Sequence, residues 1–77
     1  MKAYIGKRYK HYKGGEYTVL TIARNEANPS ESFVIYRAEY DAPDMGYGAV
    51  WARVQSNFEE KVVVQGKETE RFTCIDT

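Results

Sequence analysis

Turn-forming residues punctuate this 77-residue chain at short intervals. Gly14-Gly15, the Asn25–Ser30 stretch with its Asn-Pro pair, the Asp41–Gly48 stretch and Gln65-Gly66 each interrupt regular structure. What lies between them is rich in β-branched and aromatic residues, so the chain reads as short strands joined by tight turns. Gly14-Gly15 supplies the positive φ angles that a tight hairpin needs, so Lys7–Tyr12 and Glu16–Arg24 are expected to pair.

Tyr17–Ala23 is the best strand in the chain, with no breaker inside it. Apolar groups fall on both of its faces, which predicts a strongly bent strand in a small barrel or a strand partly covered by neighbouring chain. Ser32–Tyr40 follows, its Val34, Tyr36, Ala38 and Tyr40 alternating against Phe33, Ile35, Arg37 and Glu39. Ala49–Val54 is a short strand in which Trp51 and Arg53 share a face. Gln55–Phe58 reads as one helical or 3₁₀ turn, with Ser56 or Asn57 as its cap. Lys61–Val64 and Glu70–Ile75 complete the set, with Phe72 and Cys74 facing inward. The first six residues have no period and are expected to fray as a lead-in.

Five or six short strands with one helical turn predict a mainly β fold. The first choice is a small SH3-like barrel spanning residues 1–77 as a single domain, and a five-stranded oligonucleotide-binding barrel is second. A chain this short buries roughly 60% of its unfolded surface. Its seven Tyr, three Phe and one Trp supply large buried area from few residues.

Composition excludes several chemistries. One Cys and one His give no internal disulfide and no cysteine-rich zinc site. No phosphate loop, dinucleotide pattern or metal motif occurs, so neither a metal nor a cofactor is expected. No long apolar run is present and the start lacks a signal-peptide core, so the expected setting is a cytoplasmic monomer without membrane attachment. Net charge is zero but unevenly spread. Residues 1–24 carry six Lys/Arg against Glu16, and residues 25–49 carry five acidic groups against Arg37. Such segments are expected to meet across a sheet.

The order His11-Tyr12-Lys13-Gly14, Tyr17, Ala23-Arg24, Tyr36-Arg37-Ala38, Trp51-x-Arg53, Phe58, Gly66-Lys67, Arg71-Phe72 resembles a bacterial family of small domains of unknown function, family 1653. The resemblance spans about residues 8 to 75. It implies a compact, mainly β, SH3-like domain of the bacterial cytoplasm, and it implies no activity. Two departures are visible: Val54 stands where the family pattern has proline after W-x-R, and the Asp41–Gly48 loop is longer than usual.

Catalysis by an activated nucleophile needs a base beside it, and His11 is the only histidine while Cys74 lies in a strand expected to be buried. An enzyme is therefore not expected. The sharper expectation is a binding module with an aromatic and basic patch of Tyr9, His11, Tyr12, Tyr36, Arg37, Trp51 and Arg53. Rings beside arginines suit a peptide, and this protein or peptide reading is preferred because the chain is neutral. The alternative is single-stranded nucleic acid, whose bases stack on such rings. A small enzyme or ligand-binding accessory domain comes third. Tyr17, Tyr36, Phe58 and Phe72 are also expected to fill the core, and Trp51 to stack on Arg53 or Arg24. Tyr9 and Tyr12 are the rings expected as contacts rather than core, although Tyr12 and His11 face opposite sides of one strand and the sequence leaves open which of those two points inward. Lys7–Tyr12 is expected to be an edge strand, open to a partner's sheet.

Overall fold

In a computed structural model that describes residues 1–76, β1 (Arg8–His11) and β2 (Glu16–Arg24) form the hairpin expected around Gly14-Gly15. Thr77, the last residue of the expected domain, lies outside the described residues. Tyr9 sits opposite Tyr17, and Gly14 adopts φ 113°, a turn geometry that a side chain would strain. β2 then pairs with β3 (Ser32–Ala38), and the register slips between Val19 and Thr21. Leu20 is the extra residue of a β-bulge. The slip lets Tyr17 and Val19 point inward before it and Ile22 after it, which accounts for apolar groups in both phases of the strand.

β3 pairs with β6 (Val50–Val54), placing Tyr36 opposite Trp51 and Val34 opposite Arg53. Between them, β4 (Asp41–Ala42) and β5 (Gly46–Tyr47) make a miniature hairpin inside the expected loop. The helical turn is α1 (Gln55–Glu59), which begins after Val54 with no side-chain cap. Ser56 and Asn57 lie within it, so the expected cap is corrected: Asn57 bonds Arg53 and Glu60 instead.

The return strand expected over Glu70–Ile75 is two strands. β7 (Lys61–Val64) pairs with β8 (Lys67–Glu70) as a separate hairpin, and the chain breaks at Arg71. β9 (Phe72–Cys74) then crosses to pair with β1, bringing Phe72 opposite His11. The main sheet therefore runs β6-β3-β2-β1-β9. This corrects the edge-strand expectation, since β1 is paired on both sides and its Arg8 and Lys10 decorate an interior strand. The edges are β6 and β9. Among the described residues no ladder joins them, so the fold is mainly β but the expected barrel is not closed. Phe58 of α1 covers the inner face of the sheet in place of a closing ladder.

That inner face is aromatic. Tyr9, Phe58 and Phe72 are almost wholly buried with Val19 and Val34, and Tyr36 is nearly so. Burying side chains of this size contributes about 1.5–3 kcal/mol each. Phe58 and Phe72 stack with centroids 4.0 Å apart, and Tyr9 and Tyr36 meet Phe58 edge-on at 5.4 and 5.6 Å. Residues 1–6 do not fray as expected. Ala3 is buried, its amide donates to Glu59 at 2.8 Å, and the Tyr9 hydroxyl accepts from the Tyr4 amide and donates to the Lys2 carbonyl. The oppositely charged segments do meet: Arg8 lies 3.7 Å from Glu39, which also pairs with Arg37 at 2.9 Å. No helix among the described residues is long and apolar enough to cross a membrane.

Candidate functional site

Where the hairpin turn meets the inner face, the aromatic core opens into a cleft of about 640 Å³. Its floor is Phe72 and Tyr36, its walls are Tyr17 and Tyr40 on one side and His11 on the other, and Arg53 reaches in from β6. Gly15 forms the rim beside the two tyrosines. A Cβ there would sit 3.0 Å from the Tyr17 hydroxyl and 3.1 Å from the Tyr40 ring, so the cleft has its width because position 15 has no side chain.

The tyrosine hydroxyls of Tyr17 and Tyr40 share a hydrogen bond at 2.6 Å. Burial raises the Tyr17 phenol above its ordinary 10.0, and the Tyr40 bond adds to the shift. The Tyr17 phenol therefore stays protonated at neutral pH. His11 meets the edge of Phe72 at 4.9 Å, and its Nδ1 accepts the Lys13 amide at 3.1 Å. Its pKa is pushed below the ordinary 6.5, first by burial and then by the charges of Arg53, Arg71 and Lys13. A neutral ring accepting at Nδ1 carries its proton on Nε2, an assignment made from the hydrogen bond.

Arg53 is half-buried. Its Nε donates to the Tyr36 hydroxyl at 3.3 Å and its Nη1 to Asn57 Oδ1 at 2.6 Å, while its guanidinium carbon lies 5.6 Å from the Phe72 centroid. No carboxylate lies within 4.0 Å of it among the described residues. The polar chain continues: Asn57 donates to Glu60, which also receives Arg71 at 2.8 Å. The Nε of Arg71 is buried without a partner among the described residues.

Three of the seven expected patch residues, His11, Tyr36 and Arg53, converge on this cleft. Tyr9 does not, and its expected surface role is corrected: it is 0% exposed, because period-two alternation sends it inward with Phe58. Tyr12, not settled by the sequence against His11, is exposed and lines a second groove of about 360 Å³ facing the β7–β8 hairpin. Arg37 is also corrected. It follows Tyr36 directly in β3, so it points to the opposite face, where it binds Glu39. Trp51 lies on the Tyr36 side at the open edge of the sheet, is 41% exposed, and stacks on no ring or arginine among the described residues. The expected Trp51–arginine stack is replaced by Arg53 over Phe72. Tyr17, Tyr40 and Phe72 were not expected in the site; the alternation of Tyr36, Ala38 and Tyr40 was the available signal for one of them.

A family model described as a protein of unknown function (DUF1653) matches residues 7–74. The chain belongs to this family. No curated protein and no solved structure matches it. Of the residues on which the resemblance to DUF1653 domains was drawn, His11, Tyr17, Tyr36, Arg53 and Phe72 all line the cleft. Cys74 Sγ donates to the Asp76 carbonyl at 3.5 Å, and among the described residues it shares no hydrogen bond with His11.

Proposed function

We propose that the chain is a non-catalytic binding module of the bacterial cytoplasm, built as an SH3-like domain with an unclosed sheet, and that it recognises a protein or peptide segment in the aromatic cleft. The strand order, the bulged second strand and the single helical turn late in the chain support the SH3-like reading. One observation carries the binding reading. The cleft is walled by rigid rings, opens to solvent, and contains an arginine whose charge no carboxylate among the described residues offsets. Rings anchored in a core offer contact area at little conformational cost, and arginine beside them gives polar anchoring. The exposed Trp51 extends this surface along the β6 edge. Peptide is preferred to nucleic acid because Glu16 also lines the cleft and Glu60 stands behind it, which leaves no track of cations for a phosphate backbone.

Selection from a random peptide display library tests this. Enriched peptides are expected to change the fluorescence of Trp51, the only tryptophan, and to lose affinity on Tyr40→Ala and Trp51→Ala in folded protein. A library that yields no cleft-dependent peptide, or tight low-salt binding of mixed-sequence single strands instead, would sink the peptide reading.

A further inference from the structure

Hydrogen-bond donors outnumber acceptors in one corner of the cleft. The His11 proton is on Nε2, since Nδ1 is occupied by the Lys13 amide. The Tyr36 oxygen accepts from Arg53, so its own proton is unused among the described residues. Arg53 spends Nε on Tyr36 and one Nη1 proton on Asn57, and its Nη2 group has no acceptor among the described residues. Glu16 is the single carboxylate in the lining, and its nearest cation is Arg8 at 3.9 Å, not Arg53.

We propose that this corner, bounded by His11, Tyr36 and Arg53, is a carboxylate subsite that takes the C-terminal or side-chain carboxylate of a bound peptide. The inference rests on the peptide-binding reading above and names the chemical group that reading left open. Its physical basis is the cost of a half-buried cation without a counter-ion, which an incoming anion removes. The free edge of a guanidinium matches the two oxygens of a carboxylate, and the neutral donors of His11 and Tyr36 can satisfy the remaining lone pairs. Arg53 is held for this by Tyr36 and Asn57, and Asn57 is held by Glu60, so little ordering remains to be done on binding. Lys13 also lines the cleft, and among the described residues it too has no carboxylate within 4.0 Å. The buried Nε of Arg71, also without an acceptor, keeps the local field positive even though Glu60 neutralises that side chain elsewhere.

The test is a nitrogen-15 NMR titration of the whole chain with N-acetylphenylalanine, with its amide, and with inorganic phosphate. The acid is expected to shift the His11 ring and Arg53 Nε–H signals and to bind about tenfold or more tighter than the amide, as a charge-assisted hydrogen bond implies. Arg53→Gln is expected to abolish that difference and Arg53→Lys to keep part of it. The acid–amide comparison on the unaltered chain needs no variant to fold. Equal binding of acid and amide overturns the subsite while leaving the peptide reading intact. No shift with either compound, or phosphate shifting the same signals as strongly as the acid, overturns it as well. Failure of the peptide reading would show separately, as a display library with no cleft-dependent binder.

Discussion

The tyrosine expected at the surface is the one whose removal tests the core most directly. Tyr9 is fully buried, and its hydroxyl accepts from the Tyr4 amide at 2.8 Å and donates to the Lys2 carbonyl at 2.7 Å. Tyr9→Phe keeps the ring against Phe58, so the apolar packing is preserved and only two hydrogen bonds are lost. Each contributes about 1 kcal/mol net. Both backbone partners are only partly buried, so water recovers some of the loss and the expected destabilisation is about 1–2 kcal/mol. In a domain of this size that lowers Tm by roughly 4–16 °C. Urea denaturation should show a lower midpoint at unchanged slope, because the surface exposed on unfolding hardly changes. Amide exchange should quicken at Tyr4 more than at Val19, whose amide bonds Lys7 within the sheet region. Peptide binding by the folded fraction should be intact. A stability loss below about 0.5 kcal/mol, with Tyr4 exchange unchanged, would refute the claim that Tyr9 pins residues 1–6.

Two further outcomes are expected. Gly15→Ala has an ordinary φ and places its methyl 3.0–3.2 Å from the Tyr17 and Tyr40 rings, so stability should change by less than about 1 kcal/mol while titrated peptide affinity falls; retained affinity would contradict the assigned rim. On the acid side the urea midpoint should drop in two stages. The His11 pKa is lowered in the fold, so the unfolded chain takes up that proton first and stability falls as pH descends below 6.5. Hydrogen bonds from Thr18 and then Arg37 hold the Glu39 carboxyl below 4.5, so its contribution is present above that pH and is lost as pH falls through its lower folded value. Tyr9 and Tyr17 shift upward, so the reverse loss is expected above pH 10.0. A midpoint that rises between pH of about 7 and 5.5 would refute the His11 assignment.

What was legible in the sequence was local. Gly14-Gly15 fixes the hairpin, the β-branched run fixes β2, and alternation sends Val34, Tyr36 and Ala38 inward together. The same alternation puts Tyr36 and Arg37 on opposite faces of β3. Other features depend on tertiary context. In Lys-Arg-Tyr-Lys-His-Tyr each face carries rings and cations, so the pattern cannot say that Tyr9 is interior. The break at Arg71 follows from β9 crossing to β1, a pairing with partners some sixty residues apart in sequence that no short-range period encodes. The cleft itself gathers residues from the first hairpin, β3, β6 and β9.

Core and cleft share walls in this chain, and that has a structural consequence. Phe72 stacks on Phe58 within the core and meets His11 and Arg53 at the cleft, and Tyr36 is buried against both rings while its hydroxyl holds Arg53. A domain this small has no separate scaffold behind its site. The rigidity of the cleft is then the rigidity of the core, extended by one arginine. That arginine is fixed by a polar chain from Tyr36 through Asn57 and Glu60 to Arg71, which joins β3, β6, α1 and the β8–β9 junction. Asn57 bonding Arg53 rather than capping α1 follows from the same arrangement. A five-residue helix held by Phe58 gains little from a cap, whereas a half-buried guanidinium needs acceptors to stay oriented.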